Sequence, residues 1–201
     1  MLKTFSLLAI SAVSAFAMHT AELNINEKDV EGQLRIDMGQ FNDSVMPDSV
    51  FLGVTLLHGS EEHSDVDPKT LIELNFLFQR TIPATDDALT LGMGVKLDYT
   101  QLQHKNYKQQ DYFAMPIGIE GNYRFPFDIA IPLHVGGSIY YAPEVLSFND
   151  AKNYLEYRAY FDVEIIEGGK IRLGYRNIDT DTKSYDANYN HSAYFGFKMA
   201  F

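Results

Sequence analysis

The sequence alternates apolar and polar residues in segments of about ten residues, and this period of two constrains the fold more than any other feature. In the segment YLEYRAYFDVEII, residues 154–166, most odd-numbered side chains are apolar and most even-numbered ones are polar. Successive side chains of a β-strand point to opposite faces, so each segment predicts a strand with one apolar and one polar face. Helical spacing of apolar residues is nearly absent, and we therefore expect an all-β fold.

The alternation recurs in about ten segments if the change of phase between residues 27 and 32 marks a turn or a bulge. An even number of strands returns both chain ends to one side, as in single-chain barrels of the bacterial outer membrane. The connections that would lie outside are mostly the longer and more polar set, which is typical of such barrels. We predict a transmembrane antiparallel up-and-down β-barrel of about ten strands, with eight as the fallback, short periplasmic turns and longer extracellular loops.

Aromatic residues fall near the predicted strand ends, where amphipathic rings prefer the interface between membrane and water. The alternative is a soluble antiparallel barrel in which these rings belong to an ordinary core. The predicted outer belt holds Tyr99, Tyr112, Tyr140, Tyr141 and Tyr154, and the predicted periplasmic belt holds Phe78, Phe125, Phe127 and Phe201.

The first residues, MLKTFSLLAISAVSAFA, have the layout of an export signal. A positive charge at Lys3 precedes a short apolar stretch, and small residues at Ala15 and Ala17 frame the expected cleavage site. The apolar stretch is too short to span a bilayer comfortably. We expect a signal peptide at residues 1–17 and one barrel domain at residues 18–201.

The composition excludes several classes of function. With 27 acidic residues against 16 Lys and Arg, the net charge is −11, which argues against nucleic acid as a partner because phosphate contacts need clustered cations. The chain has no cysteine, so no disulfide framework is available. We expect no cofactor.

If the apolar faces meet lipid, the polar faces line the lumen and bring acidic and basic side chains together there. Buried charges are tolerated only when they are paired, so we favour a structural ion-pair network that plugs the barrel. A narrow, weakly selective channel is the alternative. The residues expected to form this network are Glu120, Arg124, Glu156, Arg158, Asp162, Glu164, Lys170, Arg172, Arg176 and Lys198. The other charged residues expected to face the lumen are Arg35, Asp37, Glu73, Lys96 and Asp98.

Two other features of the sequence are candidate chemical sites. The acidic loop HGSEEHSDVDP could hold a divalent cation, although its spacing matches no defined metal loop and a solvated loop is the favoured interpretation. His134 and Ser138 are too far apart along one strand to hydrogen-bond directly, and His191 and Ser192 point to opposite faces, so we expect no catalytic residues. The weak metal candidates of the loop are His58, Glu61, Glu62, His63, Asp65 and Asp67.

Residues 140–181, YYAPEVLSFNDAKNYLEYRAYFDVEIIEGGKIRLGYRNIDTD, and residues 118–125, GIEGNYRF, resemble the YfaZ family of outer-membrane proteins. This resemblance implies a Gram-negative outer-membrane β-barrel, and the family has no established activity or catalytic residues to carry over. The alternating aromatic strand at the end of the sequence is similar to the signal by which the outer-membrane assembly machinery recognises its clients. The residues of that expected signal are Phe195, Phe197, Met199 and Phe201.

Together these features lead us to expect a barrel in the outer membrane of a Gram-negative bacterium, with both termini in the periplasm. The expected partners are membrane lipid, lipopolysaccharide and the assembly machinery. We expect a structural barrel with a charge-paired lumen, or a minor narrow channel, and not an enzyme. The alternatives are a periplasmic or lumenal barrel that binds a small ligand and, less favoured, a lipid-modifying enzyme of the outer membrane.

Overall fold

A computed structural model describes residues 19–103, 108–127 and 131–201 of the chain. The predicted signal peptide, residues 1–17, lies outside the described residues, as do parts of two predicted connections. Within the described ranges, no helix is long and apolar enough to cross a membrane.

The described part of the chain contains thirteen strands, all joined in one sheet. Four 3-10 helices of three residues each lie in the connections, at Met38–Gln40, Glu61–His63, Pro83–Thr85 and Glu144–Leu146. The strands are β1 (Thr20–Ile25), β2 (Val30–Asp37), β3 (Val50–His58), β4 (Asp67–Pro68), β5 (Leu71–Ile82), β6 (Leu89–Gln103), β7 (Gln110–Ala114), β8 (Ile117–Arg124), β9 (Leu133–Ala142), β10 (Ser147–Asn149), β11 (Ala151–Ile166), β12 (Gly169–Thr182) and β13 (Asn188–Ala200).

Ten of these strands close into an antiparallel barrel, which confirms the predicted fold class. Each strand pairs with the next around the ring, in the order β1, β2, β3, β5, β6, β8, β9, β11, β12 and β13. The first and last strands close the ring, with Thr20 opposite Ala200 and Ile25 opposite Phe195. A closed ring leaves no unpaired edge, which is the condition for a sheet to lie in hydrocarbon.

The three additional strands, β4, β7 and β10, lie at one end of the barrel. β7 continues the line of β8 along β6, and the break between them falls at Met115 and Pro116. Proline has no backbone N–H and so interrupts the ladder, although its carbonyl still accepts a 2.9 Å hydrogen bond from the Lys96 amide. β10 pairs with β7, and β4 pairs with the end of β6.

The first and last described residues lie at one end of the barrel, the proximal end. The proximal end holds His19 and Phe201, whose backbones exchange two hydrogen bonds of 2.8 Å. The distal end is the opposite one, where β4, β7 and β10 lie. Long connections occur at both ends, at residues 38–49 on the proximal side and 59–70 on the distal side. At the distal end, β6, β11 and β12 continue as strand through mostly polar residues, at 100–103, 151–153 and 179–182.

The predicted change of phase near the N-terminus is a turn. Residues 26–29 form it, and the side-chain oxygen of Asn26 accepts hydrogen bonds from the amides of Lys28 and Asp29 at 2.8 and 2.7 Å. β2 then begins at Val30, earlier than the sequence analysis placed it. Glu31 therefore belongs to a strand and points inward, where it is buried.

The faces of the strands have the polarity of a barrel in lipid. Leu74 is 52% exposed and Met93 is 62% exposed, whereas Glu73 and Lys96, on the opposite faces of the same two strands, are buried. A continuous band of exposed apolar side chains would be unfavourable in water and is the expected surface of a membrane-spanning barrel. Other members of the band are Leu52, Leu56, Ile72, Phe76, Phe78, Leu91, Ile117, Ile119, Val135, Ile139, Phe161, Leu173, Phe195 and Phe197.

The predicted outer belt of tyrosines is wrong for three of its five members. Tyr99 and Tyr141 face outward and are exposed, but Tyr112, Tyr140 and Tyr154 are buried inside the barrel. The reason is parity: on each strand these three rings lie on the inward face, between neighbours that point outward. They contribute to the filling of the lumen and not to the membrane interface.

We predict that Leu74→Arg, which places a charge on the apolar outer face, destabilises the barrel by about 2–4 kcal/mol if the position lies near the bilayer midplane. The measurement is equilibrium urea unfolding of the chain folded into phospholipid vesicles. The matched control is Val145→Arg, at an exposed apolar residue in a distal connection outside the strands. Equal losses for the two variants would contradict a lipid-facing band.

Candidate functional site in the barrel lumen

The distal end of the lumen is closed by apolar side chains. Three tyrosine rings, Tyr112, Tyr154 and Tyr189, are completely buried there, together with residues contributed by the distal connections. The Tyr189 hydroxyl donates to the carbonyl of Leu57 at 3.1 Å, and that of Tyr112 donates to the carbonyl of Asn153. We call this cluster the distal stopper; it consists of Leu57, Val66, Leu71, Leu102, Tyr112, Ala114, Ala142, Ala151, Tyr154, Ile178, Ala187 and Tyr189.

A continuous set of ion pairs lies on the proximal side of the distal stopper. Lys96 Nζ lies 2.8 Å from Glu73 Oε2 and 2.7 Å from Glu156 Oε2. Glu156 also accepts from Arg158, whose Nη1 lies 2.7 Å from Glu31 Oε1. The set therefore joins β5 and β6 to β11, and β11 to β2, through side chains that are nearly all buried.

The pair of Arg158 and Glu31 crosses the lumen. β11 and β2 lie on different sides of the ring, separated by β12, β13 and β1. Arg176 reinforces this bridge from β12, with its Nη1 3.3 Å from Glu31 Oε2 and its Nη2 3.5 Å from Asp29 Oδ2. Side chains that meet across the barrel leave little free cross-section at this level.

A second layer of ion pairs lies closer to the proximal end. Arg35 on β2 binds Glu120 on β8 through two hydrogen bonds of 3.0 Å, and this pair also crosses the lumen. Arg172 binds both oxygens of Asp162 at 2.7 and 2.8 Å and Glu22 at 2.7 Å. Such forked arginine contacts fix geometry as well as neutralise charge.

The proximal mouth is polar and partly open. A cavity of about 160 Å³ is lined there by Arg35, Tyr160, Lys170 and Lys198, among others. Lys170 lies 3.5 Å from Glu164, whose other contact is His134 at 3.1 Å. Among the described residues, no carboxylate lies within ion-pair distance of Lys198. The mouth is therefore a vestibule that the ion pairs close from within.

The structure brings together most of the predicted lumenal residues. Glu120, Glu156, Arg158, Asp162, Glu164, Lys170, Arg172 and Arg176 all form ion pairs inside the barrel. Lys198 lines the vestibule, and Arg124 is exposed at the end of β8. The role of these residues as plug or channel remains a prediction.

Three acidic partners in these layers were missed by the sequence analysis: Glu22, Asp29 and Glu31. Glu22 has the same parity as Asn24 on β1, opposite to that of the apolar Leu23 and Ile25. The alternation therefore indicates that Glu22 faces the lumen. Glu31 has the same parity as Arg35 and was lost because the turn was placed too late. Asp29 lies in the turn itself, where no strand pattern applies.

Asp29 lies outside the strands, in the turn between β1 and β2. Burial would raise the pKa of its carboxyl group, but hydrogen bonds from Asn26, Asn190 and His63 and the charge of Arg176 together lower it below the ordinary value. A lowered pKa means that the ionised form stabilises the folded state above the ordinary pKa of about 3.9. This contribution is lost as the pH falls through the lower folded-state pKa.

The acidic loop does not converge on one point. Lys28 pairs with Glu62 at 3.1 Å, His63 pairs with Asp29 at 2.9 Å, and Lys69 pairs with Asp67 at 3.0 Å. Asp65 accepts from the Asn188 amide at 3.3 Å, His58 contacts Thr70, and Glu61 is exposed. Five of the six candidates thus serve separate contacts at the distal end, and the sixth, Glu61, is exposed.

The histidine and serine candidates are not arranged as a nucleophile with its base. His134 contacts Asn122, Glu164 and Lys170 in the vestibule, and Ser138 lies opposite Arg158 on β11. His191 is exposed, whereas Ser192 is buried and donates to Asn190 at 2.8 Å.

The predicted assembly residues lie on the outer face of β13. Phe195 and Phe197 are exposed there, and Met199 is half-buried on the same face. Phe201 follows the strand, and its ring packs edge-on against His19 with centroids 6.3 Å apart. Recognition of these residues by an assembly machinery remains a prediction.

We predict that Arg172→Ala destabilises the folded barrel by about 3–5 kcal/mol, because it leaves Asp162 and Glu22 buried without their cation. The control is Lys152→Ala, which removes an exposed ion pair with Asp186 and should cost about 0–1 kcal/mol. Urea unfolding of the two variants gives the comparison, and a loss at Arg172 no larger than that at Lys152 would show that the lumenal pairs carry no stability.

Comparison with known proteins identifies the family. The family model described as YfaZ precursor matches residues 84–201. No curated protein matches the chain. A solved structure titled KdgM porin is similar, with a TM-score of 0.41 and 8% sequence identity over 91% of this chain and 98% of that chain. The family match spans more than half of the chain and includes β6 to β13, and the chain therefore belongs to the YfaZ family.

Proposed function

We propose that this chain is a closed outer-membrane barrel of a Gram-negative bacterium, with a structural role in the membrane and no open pore. The observation that carries the proposal is the double filling of the lumen. The distal stopper blocks one end, and the bridge from Lys96 through Glu156 and Arg158 to Glu31 crosses the interior just beneath it.

The location is supported by the apolar outer band and by the closed ring, which together satisfy the two requirements for a sheet in lipid. The even number of barrel strands places both ends of the barrel chain on one side, which we assign to the periplasm. The distal end then faces the outside of the cell. On this assignment lipid and lipopolysaccharide surround the barrel, and the assembly machinery inserts it.

We propose no catalytic role. This rests on the placement of the candidate nucleophiles, since neither Ser138 nor Ser192 has a histidine among its described hydrogen-bond partners. The charged side chains of the lumen pair with other charged side chains: Arg158 pairs with Glu156 and Glu31, and Arg172 pairs with Asp162. Such pairing is expected of groups that stabilise a structure.

A narrow channel is the second candidate, and one observation favours it: the vestibule at the proximal mouth is polar, and Lys198 lines it without an ion-pair partner among the described residues. For conduction, the distal stopper and both layers of ion pairs would have to move aside. The two candidates therefore differ in the conductance expected of the unmodified protein.

We predict that the refolded barrel, residues 18–201, gives no stable conductance steps in a planar bilayer, because the distal stopper and the Arg158 bridge block the path. The variant Tyr154→Ala, Arg158→Ala, which removes one group from each obstruction, should give steps. The control is Tyr141→Ala, Arg158→Ala: Tyr141 is an outward-facing tyrosine near the same end. Folding and insertion are checked by heat-modifiable gel mobility. Stable steps from the unmodified protein, with an ion preference that changes in Arg158→Ala, would instead establish a channel.

A further inference from the structure

Three buried carboxylates meet inside the barrel beneath the distal stopper. Glu73, Asp98 and Glu156 each place an oxygen within 4.8 Å of the others, and each of the three residues is almost completely buried. Lys96 contacts Glu73 and Glu156. We call Glu73, Asp98 and Glu156 the carboxylate triad.

Asp98 is the exceptional member of the carboxylate triad. It is 0% exposed, and neither of its oxygens has a hydrogen-bond partner among the described residues. The Tyr154 hydroxyl, which approaches Asp98, has a single proton and donates it to Glu156 Oε2 at 2.9 Å. A buried carboxylate without hydrogen-bond partners is costly, and a bound cation would offset that cost.

The strand register places a second carboxylate beside Asp98. Glu73 on β5 lies directly opposite Asp98 on β6. Like charges directly opposite one another on neighbouring strands are destabilising. The repulsion here occurs in a buried site, where water screens it little.

The wider ion-pair network does not compensate the carboxylate triad. This network contains three cations, Lys96, Arg158 and Arg176. It contains five carboxylates, those of Asp29, Glu31, Glu73, Asp98 and Glu156. Counting Asp and Glu against Lys and Arg alone, five acidic side chains face three basic ones, an excess of two acids. The layer nearer the vestibule has no such deficit, since Glu22, Glu120, Asp162 and Glu164 face Arg35, Lys170, Arg172 and Lys198.

We propose that the carboxylate triad binds one hard divalent cation, of which Ca²⁺ is the type. Oxygens bound to one Ca²⁺ at about 2.3–2.6 Å lie at most about 5 Å apart, so the spacing of the three carboxylates suits a shared ion. The charge of a divalent cation matches the excess of two acidic side chains in this network. The cation then joins β5, β6 and β11 from within, next to the Lys96 bridge.

The first test uses Tb³⁺, a lanthanide substitute for Ca²⁺ whose emission is excited through nearby aromatic rings. The chain has no Trp, and the buried Tyr154 is hydrogen-bonded to the carboxylate triad. We expect tyrosine-excited Tb³⁺ emission from the detergent-folded barrel that saturates at one ion per chain and is displaced by Ca²⁺. In Asp98→Asn the emission should fall at least tenfold. The control Glu61→Gln, Glu62→Gln, in the exposed loop, should keep it.

The second test measures thermal unfolding of the same samples. With Ca²⁺ at about 100 times its Kd, the midpoint of the unmodified barrel should rise by about 5–10 °C over its value in EDTA. Asp98→Asn should lose this difference and, in EDTA, should be more stable than the unmodified protein, because the opposed charges are gone. The matched control Asp162→Asn changes a buried carboxylate outside the carboxylate triad and should retain the Ca²⁺ effect.

Two results would overturn the proposal. One is Tb³⁺ emission that persists in Asp98→Asn but disappears in the loop control, which would place the ion in the acidic loop. The other is an unmodified barrel whose midpoint is the same in Ca²⁺ and EDTA while Asp98→Asn is more stable in both. That pattern would mean that the carboxylate triad holds no cation.

Discussion

The structure depends on the pairing of charges inside a closed ring of strands. A strand in lipid must present apolar side chains outward, and its period of two then directs every second residue into the lumen. In this barrel many of those residues are charged, and they are held in a space where water screens little. The bridges from Arg158 to Glu31 and from Arg35 to Glu120 satisfy that requirement by joining strands that are distant in the ring.

The same pairing makes the inner face of the barrel more demanding than the outer face in the identity of its side chains. The outer face needs apolar character, and residues such as Leu74 and Ile119 are more than half exposed there. The inner face is specific, because Arg172 reaches two carboxylates from different strands and also stacks over the Tyr160 ring, with its Cζ 3.6 Å from the ring centroid. Removal of one inward partner leaves another charge unpaired, so the cost spreads through the network.

Much of the fold could be predicted from the sequence, because strand polarity is a local property. The apolar face of β11 and the inward parity of Arg172 both follow from alternation. The contacts across the lumen could not be predicted, since parity gives the face of a side chain but not the strand that it meets. The distal stopper was missed for a related reason: Tyr112 and Tyr154 were assigned to the membrane interface by residue type, whereas their parity places them inside. Glu31 was lost through an error of only a few residues in one turn.

The claim that cross-lumen charge pairing holds the barrel together is tested most directly by a double-mutant cycle on Arg158 and Glu31. The free energy of unfolding is measured for the unmodified barrel, for Arg158→Met, for Glu31→Gln and for the double variant. The account predicts a coupling energy of about 1.5 kcal/mol or more, because the 2.7 Å contact is buried and spans the lumen. Losses that add to within about 0.5 kcal/mol would mean that the two residues act independently, and would contradict it.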